Sequence, residues 1–242
     1  MMNRRPPSSL RRRVSCVGGS FLAVVFILFL FPVHGHADDR SAPANYTVDS
    51  HDSEVQIYVY RSGWLAFAGH DHIVSTSIID GKLSYTPSPA LAADFSLSIP
   101  VDALVVDDPA LRKAAGGRFS AQVSDEDRAG TRRNMLSDKV LAAARFPRIT
   151  VEGHWLQGTP LHGTVAVTLV VRNTRRDYRV PVDVRADHDH LLVTGVFHPK
   201  QTELGIKPLS IFAEAVKVAD SMDIRFRLVF VPIAGAVQPG SR

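Results

Sequence analysis

Residues 163–173 read GTVAVTLVVRN, and this stretch decides the class of the fold. Val165, Val167, Leu169 and Val171 alternate with residues that are small or apolar rather than charged. A period of two is the pattern of a β-strand whose two faces differ. Because neither face is strongly polar, the stretch predicts a strand with apolar character on both sides.

Similar strand-like runs extend over most of the chain. Residues 55–60 and residues 93–101 (ADFSLSIPV) alternate, and residues 64–86 hold two further pieces with Asp80-Gly81 as a tight turn between them. Short strands at regular spacing predict an antiparallel sandwich or barrel. The remaining strand-like runs cover residues 148–158, 176–187, 191–199 and 214–231.

The middle of the chain interrupts this pattern. Residues 102–123 have no regular period, and a helical segment is predicted from Ser124, whose side chain can cap the first turn. The acidic residues at 125–127 suit the positive end of the helix dipole. Ser137-Asp138 can cap a further short turn that Pro147 ends.

The first 37 residues predict a secretory signal peptide. Five arginines precede the apolar run FLAVVFILFLF at residues 21–31, and small residues stand at −3 and −1 of a cleavage site after Ala37. The run has 11 residues, too few to span about 30 Å of hydrocarbon comfortably. We expect a periplasmic protein cleaved after Ala37, and an uncleaved membrane anchor is the alternative.

After the leader, the predicted organisation is simple. We expect a flexible lead at residues 38–44, one β-barrel domain at 45–233 and a disordered tail at 234–242. The 205 residues that follow Ala37 are enough to bury a substantial core.

Loss of the leader also changes the charge of the protein. Of the 28 Lys and Arg residues, five lie in the leader, which leaves 23 against 24 Asp and Glu and a net charge of −1. This balance gives no electrostatic basis for binding nucleic acid. The single cysteine, Cys16, also leaves with the leader, so the mature chain has neither disulfides nor thiolate chemistry.

Sequence motifs of the common enzyme classes are absent. The chain contains no G-x-S-x-G, H-E-x-x-H, P-loop or dinucleotide-binding fingerprint. Serine, histidine and aspartate all occur, but no spacing among them selects a catalytic triad. The sequence therefore predicts a binding protein rather than an enzyme, without a resident cofactor.

Several longer stretches carry a family resemblance. They are YTVD at 46–49, MLSDKVLAAARFPRITVEG at 135–153, HGTVAVTLVVRNTRRDYRVPV at 162–182 and TGVFHPKQTELGIKPL at 194–209. In this combination the chain resembles the YceI-like family of exported bacterial proteins. The resemblance implies a mainly β fold, an extended eight-stranded antiparallel, lipocalin-like barrel with a short helical segment in the middle of the chain.

The resemblance also implies a function and a ligand. Family members bind a long isoprenoid chain, polyprenyl or quinone-like, inside the barrel. Apolar strand positions then line a cavity, although parity alone leaves open which face points inward; we expect Leu97 and Val167 to do so. The complete set of proposed lining residues is Phe67, Phe95, Leu97, Ile99, Val167, Leu169, Phe197 and Phe226.

The stretch Gly69-His70-Asp71-His72 has three interpretations. On a strand, His70 and His72 lie on one face with Cα atoms about 7 Å apart, and they chelate zinc or copper if a third ligand converges. They can instead form a polar mouth near the ligand head group, or Asp71 can close a strand end by accepting backbone N–H bonds. Candidate third ligands are Asp49, His51, His198 and the residues at 188–190, a stretch also typical of a hairpin turn.

The metal interpretation leads to the alternative function, a metal-binding or stress-response protein on the same barrel that uses His70 and His72. A second polar feature is a basic cluster around a turn between two predicted strands. It is either a solvated hairpin tip or a transient contact with anionic lipid head groups at a membrane surface. Its members are Arg172, Arg175, Arg176 and Arg179.

Overall fold

The computed structural model describes residues 43–87, 91–187, 190–211 and 215–233. The predicted signal peptide, the predicted tail and most of the predicted lead lie outside the described residues. Twelve strands form within the described ranges. They are β1 (Ala44–Val48), β2 (Glu54–Ser62), β3 (His72–Thr76), β4 (Asp80–Thr86), β5 (Ala92–Pro100), β6 (Val105–Val106), β7 (Arg148–Gly158), β8 (His162–Val171), β9 (Thr174–Asp187), β10 (His190–Phe197), β11 (Ser210–Ile211) and β12 (Val216–Pro232).

Eight strands close into an antiparallel barrel in the order β1-β4-β5-β7-β8-β9-β10-β12, and β12 pairs back with β1. The 17 residues of β12 are enough to pair with β1 near their end and with β2 nearer their start. β2 continues the sheet to β3, and β3 to the short β6. The predicted mainly β fold and its eight-stranded barrel are confirmed.

The alternating residues of β8 fix which face of the wall points inward. Val167 pairs with Gly153 of β7, which in turn pairs with Phe95 of β5. Two residues further along β5 and β8, Leu97 and Leu169 both pair with Val151 of β7, which lies between them. Because side chains alternate along each strand, these residues form one continuous apolar inner surface.

Two α-helices form within the described residues, α1 (Pro109–Ala115) and α2 (Asp125–Leu136). The Ser124 hydroxyl accepts the N–H of Asp127 at 3.1 Å, as the predicted cap requires. The predicted short turn after Ser137 is a series of turns rather than a second helix, and Ala142 there has a φ of 48° that an α-helix excludes.

Two local predictions were wrong. Residues 109–115, which lack an obvious period, form α1 because the side chain of Asp108 accepts the N–H groups of Ala110 and Leu111. Asp80-Gly81 is not a turn but the start of β4, where Gly81 pairs with Leu97. A Cβ atom on Gly81 would lie 2.5 Å from the Leu97 side chain, so this glycine serves close packing.

One end of the barrel is closed by chain that lies between strands, and we name it the covered end. Met135, Val140 and Leu141 come from α2 and the turns after it, and Leu204 and Ile206 from the segment that follows β10. β2 also ends here, because Ser62 pairs with Lys217 near the start of β12.

No helix among the described residues has the length and apolarity needed to cross a membrane.

Candidate ligand cavity

The barrel encloses a cavity of about 250 Å³. Its lining is formed by the inward side chains of the strands and by the residues of the covered end. Nearly all of these side chains are aliphatic or aromatic. Among the lining residues that the structure describes, the polar exceptions besides the Trp155 indole are Thr76, Tyr85 and Gln201.

Most of the proposed lining residues lie where the sequence placed them. Phe67 does not: its side chain is 77 % exposed, and it lies in the 3-10 turn Ala66–Ala68 rather than on a strand. The alternation of β2 stops before this point because Gly63 has a φ of 92° and turns the chain. The proposed residues that do line the cavity are Phe95, Leu97, Ile99, Val167, Leu169, Phe197 and Phe226.

Other lining residues were not predicted from the sequence. Val55, Ile57 and Val59 lie on β2 and line the cavity. Their alternation predicted the strand, and it is also the pattern that an inward face requires. The residues of the covered end lie on a helix, turns and a loop, where a period of two gives no signal. The structure shows that they complete the wall.

Gln201 is the most buried amide side chain in this wall, with 7 % exposure. Its Nε2 donates to the Ala219 carbonyl at 2.7 Å, which holds the amide group in place. An amide has two donors and a carbonyl acceptor, so this one bond leaves further hydrogen-bonding capacity at the cavity surface. This remaining capacity makes Gln201 a candidate contact for a polar ligand atom.

Tyr85 is a second polar contact in the cavity wall, near the hairpin from β4 to β5. Burial, and to a smaller extent the neighbouring Tyr46, raise the pKa of its hydroxyl above the ordinary value. Tyr85 therefore stays neutral and able to donate a hydrogen bond. Gln201 and Tyr85 place polar atoms in different parts of a largely apolar space.

The His-Asp-His stretch lies outside the cavity lining, at the start of β3. Asp71 is 1 % exposed and accepts the backbone N–H of Arg61 at 2.8 Å. The Arg118 guanidinium donates two further hydrogen bonds to its carboxylate, both at 3.0 Å. Asp71 therefore closes the strand end through a backbone bond, as one of the three interpretations expected, and Arg118 compensates its buried charge.

A second buried aspartate lies beside the first. Asp107 has 0 % exposure and accepts hydrogen bonds from His72 Nδ1 at 2.6 Å and from the Ile73 N–H at 2.9 Å. The Arg112 guanidinium donates to Asp107 at 2.7 Å and to the Asp71 carbonyl at 2.7 Å. The ion pairs Arg112–Asp107 and Arg118–Asp71 together hold α1 and the residues around it against the outside of β2 and β3.

Both aspartates are held in the ionised form. Burial raises the pKa of Asp71, but hydrogen bonds from Arg118 and from the Arg61 N–H outweigh it and hold the pKa below the usual range. Burial also raises the pKa of Asp107. The contacts with His72, followed by the hydrogen bonds from the Ile73 N–H and Arg112, outweigh it and hold the pKa below the usual range. These contacts make the stretch a structural joint between the barrel and α1.

The metal interpretation lacks a ligand set. Among the described residues, no three His, Cys, Asp or Glu side chains are grouped so as to hold a metal ion. His70 is exposed, and His72 is hydrogen bonded to Asp107.

The candidate third ligands have other contacts. Asp49 accepts the N–H of His51 at 2.9 Å, and His198 Nδ1 lies 2.7 Å from an oxygen of Asp223. His190 begins β10, while residues 188 and 189 lie outside the described residues.

The basic cluster is partly used by the fold. Arg172 donates to the carbonyls of Val140 and Gly205, both at 3.3 Å, and Arg176 donates to the Glu203 carbonyl at 2.7 Å. These bonds hold the turns after α2 and the segment after β10 across the covered end. Arg175, Arg176 and Arg179 are exposed, whereas Arg172 is half-buried.

Comparisons with known proteins give one family model and several similar solved structures. A family model for the YceI-like domain matches residues 46–230. The crystal structure of Burkholderia cenocepacia BcnA is similar at 15 % identity and a TM-score of 0.56, over 75 % of this chain and 98 % of that one. The Campylobacter jejuni YceI protein matches at 10 % identity and a TM-score of 0.45, over 64 % and 81 % of the two chains.

No curated protein matches the chain significantly in sequence. The family model nevertheless spans from β1 into β12, and so includes every strand of the closed barrel. By this match, the chain belongs to the YceI-like family.

Proposed function

We propose that the protein binds an isoprenoid-type chain, polyprenyl or quinone-like, noncovalently in its barrel and transports or sequesters it in the periplasm. The observation that carries this proposal is the apolar cavity inside the closed barrel. Family membership supports binding rather than catalysis. The signal peptide predicted at residues 1–37 supports export.

The lining favours a hydrocarbon chain over a polar ligand. Burying each CH₂ group is favourable by about 0.8 kcal/mol, and the wall offers few polar atoms that would have to be satisfied. The cavity of about 250 Å³ is slightly smaller than the roughly 300–1,000 Å³ of ordinary ligand pockets. It therefore suits one narrow chain, and a longer chain has to displace side chains or leave one end outside.

Two wall residues offer contacts for the polar end of such a ligand. The Gln201 amide can accept from a hydroxyl or donate to a carbonyl, and the Tyr85 hydroxyl can do the same. Their separate positions allow a chain with one polar end to bind in a defined direction.

Mass spectrometry of the gently purified exported protein tests the proposal directly. We expect a co-purified lipid of isoprenoid mass that is released on unfolding. The same spectrum gives the N-terminus, which should be Asp38 if cleavage follows Ala37. Uptake of a fluorescent prenyl probe by the emptied protein then gives an affinity.

Charges placed on the two faces of one strand sharpen this test. Leu97 lines the cavity and is 7 % exposed, whereas its neighbour Ser96 faces outward and is exposed. An unpaired charge in an apolar site is costly, so Leu97→Asp should weaken probe binding at least tenfold and Ser96→Asp should leave it unchanged. Val167→Asp should behave like Leu97→Asp.

Circular dichroism identifies which variants remain folded. The proposal fails if folded Leu97→Asp and Val167→Asp proteins keep full affinity. It also fails if the unmutated protein takes up no probe and carries no lipid.

A further inference from the structure

The loop between β2 and β3 exposes two aromatic side chains. We name residues 63–70 (GWLAFAGH) the aromatic loop; Trp64 and Phe67 are each 77 % exposed. Trp64 lies in the turn that precedes the 3-10 segment Ala66–Ala68, and Phe67 lies within that segment. The loop lies at the covered end, because it directly follows Ser62 of β2.

The aromatic loop holds its shape through hydrogen bonds. The Leu65 N–H donates to the Ala215 carbonyl at 2.9 Å, and the Ala68 N–H to the Leu65 carbonyl at 2.9 Å. The Arg61 guanidinium donates to the Gly69 carbonyl at 2.6 Å. Trp64 and Phe67 are therefore presented to solvent by an ordered backbone, at the cost of leaving two large apolar surfaces in water.

Two arginines lie beside the aromatic loop. Residues 61–70 contain no acidic residue. Arg61 and Arg118 both face Asp71, and their side chains are 34 % and 56 % exposed. Two guanidinium groups against one carboxylate leave an excess of positive charge beside the loop.

We propose that the aromatic loop docks the protein on the surface of a lipid bilayer that contains anionic lipids. Aromatic rings are favourable at the level of lipid head groups, and flanking cations are attracted to anionic lipid. This inference rests on the proposed function for its purpose, the exchange of an apolar chain with a membrane, while the docking itself is a separate property.

The size of the patch favours a bilayer over a second protein. Two large aromatic side chains bury about 150–250 Å² each, well below the roughly 800 Å² that each partner contributes to a stable protein interface. A patch of this size is sufficient for shallow insertion between head groups, where only the two rings have to leave water. The occupant we infer is therefore lipid, and a second copy of this chain is the competing outcome.

The two tryptophans of the sequence make the test specific. Trp64 lies in the aromatic loop, and Trp155 lies in the cavity wall. In Trp155→Phe protein, Trp64 is the only indole, so its emission reports docking. With vesicles of phosphatidylethanolamine and phosphatidylglycerol we expect a blue shift and quenching by brominated lipid, both weaker with phosphatidylcholine alone.

Substitutions then identify the surface. The Trp64→Ser, Phe67→Ser double variant of the exported protein, with its leader removed, should bind the mixed vesicles at least tenfold more weakly in sedimentation. Leu161→Ser is the matched control, since Leu161 is 55 % exposed at the tip of the β7–β8 hairpin. It should bind like the unmutated protein.

Three results would overturn docking: no vesicle binding by the unmutated protein, equal binding by the double variant, or a dimer that the double variant loses. The double variant keeps Trp155, whose emission still reports a prenyl probe in the cavity. Normal probe uptake by the double variant with weakened vesicle binding would support docking. Probe uptake by the unmutated protein without vesicle binding would reject docking alone, and absence of uptake by the unmutated protein would reject the proposed carrier function.

Discussion

The cavity wall and the joint at Asp71 and Asp107 are two buried regions built in opposite ways. The wall is apolar and encloses empty space, with Leu97 and Val167 at 7 % and 8 % exposure. The joint is ionic and filled: Asp107 has 0 % exposure and is surrounded by three hydrogen-bond donors. An apolar wall tolerates changes in side-chain shape, whereas the stability of an ionic cluster depends on each of its partners.

The difference separates what holds the fold from what can serve a ligand. Apolar contacts lack direction and are roughly proportional to area, so the wall can repack around an incoming chain. Charged groups without water need each partner at a fixed distance. The ion-paired residues Asp71 and Asp107 lie outside the candidate site.

The largest effect is expected from removing one charge of the joint. Asp107→Asn keeps the shape and suits the φ of 53°, a region that asparagine tolerates. It leaves Arg112 buried at 5 % exposure without a carboxylate, so the free energy of unfolding should fall by about 3–5 kcal/mol. Chemical denaturation measures this loss.

Two further variants show whether the loss comes from the buried charge. Asp94→Asn, on the exposed outer face of β5, should change stability by less than about 0.5 kcal/mol. Combining Asp107→Asn with Arg112→Met should restore much of the loss, because no unpaired charge remains. An additive double variant would contradict the ionic explanation.

An intermediate effect is expected in the cavity wall. Leu97→Ala should cost about 2–3 kcal/mol, near the lower end for Leu→Ala, because the side chain already borders empty space. The variant should also accept a bulkier prenyl probe, since the cavity grows. Denaturation with and without probe measures both. An identical loss in the two conditions would contradict the cavity assignment, because a change at a lining residue alters the affinity for the probe and therefore the ligand-dependent part of the stability.

The smallest effect is expected from pH. The pKa of Asp71 is lower in the folded protein than in the unfolded chain, so its contribution is present above the unfolded value of about 3.9 and is lost as the pH falls further. The free energy of unfolding should therefore decline more steeply below that pH. Asp71→Asn should flatten this decline; an unchanged slope would remove the carboxylate from the explanation.

The strands of the barrel could be predicted well because each has one regular face. The run at 148–158 matches β7, and the Ser124 cap marks the start of α2. α1 was missed because its signal is the Asp108-Pro109 pair, an N-cap followed by a proline in the first turn, rather than a period. Asp80-Gly81 was predicted to be a turn because the sequence alone does not distinguish a glycine required by close packing from a glycine required by a tight turn.

The candidate site could be predicted only in part. Lining residues on strands follow from alternation, but Leu204 and Ile206 reach the cavity from a segment without a period. Phe67 is an apolar residue in a stretch that predicts strand, but the chain turns there and exposes its side chain. The partners of Asp71 and Asp107 are separated from them by up to 47 residues, a distance at which sequence spacing carries no information about contact.

The length of β12 has a consequence for how the chain folds. β1 and β2, the first strands, both find partners in the last strand, and the Ser53 hydroxyl accepts the N–H of Val229 across 176 residues. Pairing over such separations is slow, because loop-closure entropy is lost before the contacts form. The barrel can therefore close only when β12 has paired with β1 and β2, and until then the apolar faces of the earlier strands stay exposed to water.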